Sequence, residues 1–293
     1  MPMVESIFEK RRRPLDAVAY TIIYFCASVS ILLLAGIVGY VTYRGISAIN
    51  PAFLTTVPSA IKGTFGIAGN IVNTLYMIVI TLLIAVPFGI GAAIYLNEYA
   101  RPGRLVSLIE FTTETLSGIP SIVFGLFGYV FFGTTLKLGY SILTGALTLS
   151  LMVLPLITRN TQEALKTVPS SYRSGALGIG ATKWYMIRTI LLPSAMPGII
   201  TGVILSIGRI VGESAALLFT AGSGYLLPKL GEYGEGLVEK ITQPGGTLTI
   251  QLFLSMEKAQ YREAFGIALV LLIIVFGINM LTKYLSNRFN VNR

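Results

Sequence analysis

The sequence contains no histidine and a single cysteine, Cys26, among its 293 residues. Without histidine, a His-ligated zinc site, a Ser-His-Asp triad and a histidine proton relay are all excluded. One cysteine excludes an internal disulfide and a cysteine cluster, so we expect no metal site. Charged residues make up only 12% of the chain, about half their share in an ordinary soluble domain. The composition therefore excludes an ordinary soluble domain.

Apolar residues are abundant, at 54% of the chain, and the mean hydropathy is +0.75. A helix that crosses a membrane needs roughly 20 apolar residues. Six stretches meet this requirement, and the first is too long for the apolar core of a signal peptide. The sequence predicts an all-α, polytopic membrane protein with six transmembrane helices. They cover about residues 17–43, 70–96, 106–132, 138–157, 196–221 and 264–285.

The net charge of +9 reflects 22 lysine and arginine residues against 13 acidic residues. In a membrane protein this excess is expected from the cationic bias of cytoplasmic loops, so we predict no nucleic-acid partner. About twice as many cations lie on the side that holds both termini, which predicts a protein of the cell membrane with cytoplasmic termini. The predicted segments are a cytoplasmic start 1–16, an external loop 44–69, a core domain 70–285 and a cytoplasmic tail 286–293. Within the core, residues 222–263 are predicted to cap the external side, with a short re-entrant or interfacial segment at 250–256.

The segment 159–193 is polar and compatible with helices that lie on the inner membrane face. Its residues Ser174, Gly175, Ala176, Gly180, Ile190, Leu192 and Pro193 have the spacing of the EAA loop of ABC importer permeases. Ser174 replaces the glutamate of that motif and Gly175 its first alanine, so an ion pair from that glutamate to an ATPase is not expected. A short helix followed by a turn at Gly180 can sit in a groove of a partner. An ordinary amphipathic connecting helix is the alternative.

Arg209 lies inside the fifth predicted span, about 18 Å along the helix from Pro197 and near the middle of a ~30 Å hydrocarbon core. A charge at that depth costs ~2.5 to 3.5 kcal/mol and indicates a functional residue. Glu213 follows four residues later, so the two side chains are expected on one helix face, where they can pair. A purely structural ion pair is the alternative.

The third span contains Glu110 and Glu114, and then Ser117, Gly118 and Pro120. Proline removes a backbone donor and glycine loosens the helix, which predicts a kink or break that faces the pathway. The freed polar groups can bind an anion or be satisfied by neighbouring helices. Glu114 is the deeper carboxylate and a candidate counter-charge for an arginine of the pathway.

Small residues recur at four-residue spacing in the fifth span, which lets two helices approach closely. We expect these residues to pack against a second permease subunit. The two sets are Gly198, Gly202 and Ser206, and Gly208, Gly212 and Ala216.

Over about residues 70–285 the chain resembles the permease subunits of the phosphate ABC importer, the Pst system, and PstA more than PstC. The resemblance rests on residues 87–99, on the break at 118–121, on the EAA-like loop and on Arg209 with Glu213. It implies a type I ABC importer permease that forms half of a heterodimeric pore with a PstC-like subunit. It further implies PstB-like ATPases, an external PstS-like binding protein, and a role for Arg209 and Glu213 in phosphate passage. By the same resemblance Arg159 stands at the inner mouth, where a snorkelling interfacial arginine is the alternative.

The chain has no nucleotide-binding motif, because the stretch from Gly175 to Lys183 lacks the Gly-Lys-Ser/Thr ending of a phosphate cradle. We therefore expect a transport subunit that is not an enzyme, with no cofactor of its own and with ATP and Mg²⁺ on a partner. Three alternatives remain: a permease for another oxyanion such as sulfate, molybdate or phosphonate, a secondary transporter or channel that works without ATP, and a non-transporting scaffold or sensor.

Overall fold

The computed structural model describes residues 14–58, 64–228 and 235–288, and these residues form thirteen α-helices. The predicted terminal segments 1–16 and 286–293 lie largely outside the described residues. The helices are α1 Pro14–Gly45, α2 Pro51–Thr55, α3 Ala68–Ile94, α4 Arg104–Ser117, α5 Ser121–Gly128, α6 Ile142–Thr167, α7 Ser170–Gly178, α8 Lys183–Met186, α9 Leu192–Gly212, α10 Ala215–Thr220, α11 Glu235–Glu239, α12 Leu248–Glu257 and α13 Tyr261–Arg288.

Five helical segments in the described part of the chain are long and apolar enough to cross a membrane. The segments Arg104–Ser117 and Ser121–Thr135 form a pair bent by 102°, which makes a sixth span if the pair crosses the membrane as one unit. The all-α prediction is confirmed, and five spans, or six with the bent pair, agree with the predicted number. The five unbroken segments are Val18–Ala48, Ala68–Tyr99, Ile142–Thr167, Lys183–Gly212 and Tyr261–Tyr284.

The bend between α4 and α5 lies where the sequence predicts a break. The helix α4 ends at Ser117, and the amides of Gly118 and Ile119 donate to carbonyls three residues earlier in a tightened last turn. Pro120 cannot donate a backbone hydrogen bond and disfavours a helical conformation at the residue before it. Its own ψ of 139° redirects the chain into α5.

The fourth span is longer than predicted, because α6 continues through Arg159 to Thr167. Proline again defines its end: Val168 precedes Pro169 and is extended, with ψ at 125°. The interfacial segment therefore begins at residue 168, not at 159. It also ends early, because residues 183–212 form one helical segment with a π turn at Ile187–Leu191.

The fifth span ends earlier than predicted, because α9 ends at Gly212. Glu213 is extended, with ψ at 126°, and its carboxylate accepts a hydrogen bond from the amide of Ala216 at 3.0 Å. A carboxylate that accepts from a backbone amide three residues later favours the start of a new helix over continuation of the old one. The chain therefore begins α10 two residues later.

The helices α6 and α9 are in close contact at two small residues. A Cβ atom added to Gly198 would lie 2.6 Å from Ala164, and one added to Gly202 would lie 2.6 Å from Asn160. The prediction that this glycine set packs against a second subunit is wrong, because α6 of the same chain occupies the space. A Cβ added to Gly208 or Gly212 would meet no atom of the described residues within 4 Å.

The end of the bundle that carries α12, here called the α12 end, is held by polar side chains of α3. The Asn73 amide donates to the carbonyls of Gly224 and Gly246, at 2.9 and 3.1 Å, and the Asn70 amide also donates to Gly246. The Thr74 hydroxyl accepts from the amide of Leu248. These bonds fix the loop that leads into α12, the short apolar helix predicted near residues 250–256. The opposite end of the bundle is here called the α7 end.

Candidate functional site

A cavity of about 230 Å³ lies near the α7 end, between α4, α6 and the residues that follow α3. It brings together Glu114, Ser117 and Arg159, three residues predicted from sequence to line the pathway. Gly118 lies at the adjoining break between α4 and α5. The remaining lining residues are Leu96, Glu110, Thr113, Gln162, Glu163 and Lys166.

Arg159 pairs with two carboxylates. One guanidinium nitrogen donates to Glu114 at 3.0 Å, and Nε donates to Glu163, four residues further along α6, at 3.3 Å. All three side chains are more than half exposed, so water is an alternative partner for each of them. Glu114 is the counter-charge expected from the sequence, whereas Glu163 was not predicted, although its four-residue spacing from Arg159 is the usual signal for such a pair.

Arg209 and Glu213 do not form the ion pair that the sequence suggested. The helix ends between them, and the Glu213 carboxylate accepts from Ala216 while its carbonyl accepts from the Thr249 hydroxyl at 2.8 Å. The four-residue rule requires a continuous helix, which is absent here. Within the described residues no carboxylate lies within 4 Å of the Arg209 guanidinium.

Arg209 lies on an exposed stripe of α9. Gly208 and Gly212 are also exposed and leave open space beside the guanidinium-bearing residue. Leu205 and Thr201, one and two turns earlier, continue the same face. Because Gly202 contacts Asn160, Arg209 lies about 10 Å further along the bundle than Arg159. The two arginines therefore occupy different depths.

The EAA-like residues form a short helix and a tight turn at the α7 end. Ser174, Gly175 and Ala176 lie in α7, Ile190 lies in the π turn, and Leu192 and Pro193 open α9. Gly180 has φ at +85°, and the amides of Gly180 and Ala181 donate back to Leu177 and Ala176. This is a Schellman ending, which favours glycine at that position.

The surface around this turn is apolar and exposed. Ile179 is 87% exposed, and Leu177, Trp184 and Tyr185 are each more than half exposed. The Ser174 hydroxyl is occupied by backbone carbonyls of its own helix, at Ser170 and Ser171. The position that is glutamate in the EAA motif therefore presents no charge here.

Sequence reasoning missed the most buried ion pair among the described residues, between Arg173 of α7 and Glu98 of the π turn Tyr95–Tyr99. Their closest atoms are 2.8 Å apart, and only 5% of the Glu98 side chain is exposed. The two residues are 75 positions apart. No local spacing rule predicts such a contact, although an acidic residue directly after an apolar span is a visible signal.

A six-span, all-helical bundle with a short exposed helix between its fourth and fifth spans is the fold of type I ABC importer permeases. The chain belongs to the family described as "binding-protein-dependent transport system inner membrane component", whose model matches residues 85–290. An alginate ABC transporter structure matches with a TM-score of 0.63 at 15% identity, covering 96% of this chain and 98% of that one. The inward-facing methionine transporter MetNI matches with a TM-score of 0.57 at 19% identity, covering 76% and 94%.

Sequence relatives agree with this assignment. The probable ABC transporter permease protein YqgI of Bacillus subtilis is 35% identical and covers 94% of this chain and 96% of its own. The phosphate transport system permease protein PstA of Xylella fastidiosa is 36% identical over 72% of this chain and 74% of its own. PstA 1 of Mycobacterium tuberculosis is 31% identical over 95% and 91%.

Proposed function

We propose that this chain is the permease subunit of an ATP-driven inorganic phosphate importer and forms half of its translocation pore. The assignment of phosphate as the substrate rests on the similarity to PstA proteins over nearly the whole chain. The proposed partners are a second PstC-like permease, a pair of PstB-like ATPases and a PstS-like phosphate-binding protein, within the lipid membrane. The α7 end and both termini would then face the cytoplasm, and the α12 end would face the binding protein.

Arg209 is the proposed contact for the passing anion. An anion that crosses a low-dielectric layer of ~30 Å needs a compensating charge. A guanidinium can donate two parallel hydrogen bonds to one phosphate, which an ammonium cannot do. Its exposed position beside Gly208 and Gly212 leaves space for such a ligand. Glu213 contributes differently from the initial expectation, by capping α10 close to that position.

Conformational changes of the ATPase would be transmitted to the pore through α7 and the turn at Gly180. We assign this surface to the ATPase, with ATP and Mg²⁺ bound entirely by that partner and no cofactor on this chain. Because Ser174 carries no charge, the contact would rely on the apolar side chains around Ile179. Burial of such side chains is favourable at roughly 25 cal/mol per Å².

The coupling assignment is tested at Gly180. Gly180→Trp adds bulk where an added Cβ meets none of the described residues within 4 Å, so its effect should arise at the partner surface. It also places an L-residue at positive φ, at a cost of roughly 1 to 2 kcal/mol. Gly180→Asn is the control, because asparagine tolerates that conformation. We expect Gly180→Trp to uncouple ATP hydrolysis from uptake or prevent assembly, and normal uptake with bound ATPase would contradict the assignment.

The substrate is tested by copurifying the chain with its neighbours and reconstituting the complex in lipid vesicles. We expect phosphate with its binding protein to stimulate ATP hydrolysis and to enter the vesicles, while sulfate, molybdate and phosphonate do not. The purified chain alone should hydrolyse no ATP. If one of the other oxyanions stimulates ATP hydrolysis instead, that oxyanion is the substrate. Uptake without an ATPase would establish a secondary transporter.

A further inference from the structure

The Arg173–Glu98 ion pair joins three separate elements at the α7 end. Arg173 belongs to α7, and Glu98 belongs to the π turn that extends α3. Nη2 and Nε of Arg173 donate to Oε1 of Glu98 at 2.8 and 3.1 Å. Nη1 donates to the carbonyl of Val168 and Nη2 also donates to that of Leu165, each at 3.0 Å. Arg173 therefore holds α7 to the ends of both α3 and α6.

The geometry of this cluster requires an arginine and a carboxylate in these positions. The carbonyls of Leu165 and Val168 come from the end of α6, where the helix dipole attracts a cation. Glu98 also accepts from the amide of Asn97 at 2.6 Å. A largely buried carboxylate that loses its cation is left with an uncompensated charge, which is strongly unfavourable.

The same two elements line the charged cavity. Leu96 lines it from the π turn that holds Glu98, and Gln162, Glu163 and Lys166 line it from the last two turns of α6. The Arg173 side chain therefore connects α7 directly to both elements, and Ala176 of α7 packs in the same buried cluster as Leu165 of α6. In contrast, the Ser174 hydroxyl donates only to carbonyls of its own helix among the described residues, and a Cβ added to Gly175 would meet no described atom within 4 Å.

We propose that Arg173 and Glu98 form a mechanical link that transmits the position of α7, set by the ATPase, to the charged cavity. They are positioning residues and do not touch the substrate. This inference rests on the proposed contact between α7 and an ATPase. It adds the path inside this chain by which that contact changes the pore.

The first test measures the number of phosphate ions taken up per ATP hydrolysed, per assembled complex. Arg173→Gln and Glu98→Gln should each lower this ratio about tenfold or more, since each removes a charged hydrogen bond of a buried pair. Arg173→Lys should keep an intermediate ratio, because lysine can pair with Glu98 but loses the planar fork. Arg101→Gln, an exposed arginine three residues after Glu98, is the control and should leave the ratio unchanged. A ratio within twofold of the unmodified complex in both Gln variants would overturn the proposal.

Combined variants separate a link from a simple charge pair. If the two residues act through each other, Arg173→Gln with Glu98→Gln should be no worse than either change alone. The exchange of both residues, Glu98→Arg with Arg173→Glu, should fail, because a carboxylate would then face the carbonyls of Leu165 and Val168. Full recovery in the exchanged variant would overturn the proposal. Additive losses in the double Gln variant would do the same.

A second readout needs no phosphate and so separates this inference from the substrate assignment. In a Cys26→Ala background, Leu96→Cys reports access to the cavity wall through its rate of reaction with a maleimide. We expect that rate to differ at least threefold between nucleotide-free and vanadate-trapped complexes, and Arg173→Gln to remove the difference. A difference that survives Arg173→Gln, or no difference with the link intact, would contradict the proposal. Absence of phosphate uptake by the unmodified complex would contradict only the substrate assignment.

Discussion

Arg159 and Arg209 both belong to membrane-spanning helices, yet their charges are balanced differently. Arg159 has two carboxylate partners within 3.3 Å, on α4 and on α6 itself. Arg209 has no carboxylate partner within the described part of this chain and lies beside glycines. A charge compensated by its own chain can serve structure, whereas a charge left open in the membrane must be compensated from outside. The difference favours Arg209 over Arg159 as the anion contact.

The largest expected effect on phosphate uptake follows from removing the charge of Arg209, which has no carboxylate partner among the described residues. Arg209→Ala should lower phosphate uptake about 100-fold or more, because two charged hydrogen bonds contribute about 3 kcal/mol together. Arg209→Lys keeps the charge but not the fork and should retain at most about a tenth of the uptake. Uptake by reconstituted vesicles measures both. Arg188 is an exposed arginine on the same helical segment, and Arg188→Lys is the control. Near-normal uptake by an assembled complex with Arg209→Ala would contradict the assignment of Arg209 as the anion contact.

A second pair of variants tests the contact between α6 and α9 that sets the different depths of Arg159 and Arg209. Gly202→Ala would force a methyl group against Asn160, next to Arg159, and should destabilise the bundle by about 1 to 3 kcal/mol. Gly208→Ala, next to Arg209, adds the same methyl group in open space and should change stability by less than about 0.5 kcal/mol. Thermal unfolding in detergent compares the two. Equal stability of the pair would show that the α6–α9 contact does not fix the two depths.

Removing the compensated charge should have a smaller effect. Arg159→Gln leaves Glu114 and Glu163 without their cation, but all three side chains reach water, which screens the loss. We expect uptake to fall only about two- to fivefold. Adding Glu114→Gln should restore part of it by removing one of the unpaired carboxylates. A loss as large as that of Arg209→Ala would place the anion contact at Arg159 instead.

The smallest effect is expected at Glu213. Glu213→Gln can still accept from the amide of Ala216 and should leave uptake near normal, whereas Glu213→Ala loses the cap, worth about 1 kcal/mol. Thermal unfolding should therefore distinguish the two variants, and uptake should not. If Glu213→Gln abolishes uptake in an assembled complex, the carboxylate charge itself takes part in the passage of phosphate.

The elements that sequence predicted well are those set by local chemistry. The six apolar spans, the break before Pro120 and the turn at Gly180 each depend on neighbouring residues only. The sequence misled where a rule assumed continuity: Arg209 and Glu213 have helical spacing, but the helix ends between them. Contacts between distant residues, such as Arg159 with Glu114 and Arg173 with Glu98, could not be predicted from the sequence, because charge alone does not select a partner. The glycine set of α9 was recognised as a packing surface, but its partner was α6 and not another subunit.

The helix α1 shows how unequally the side chains of the spans are constrained by packing within this chain. At 32 residues it is about 48 Å long, yet none of its most apolar window is buried, and the chain secures it chiefly near Gly45, against α13. A segment of this kind is constrained by length and average apolarity rather than by the identity of its side chains. Substitutions in α1 that keep its apolarity therefore disturb fewer contacts within this chain than substitutions in α6, and α1 is the natural place to attach or exchange a reporter.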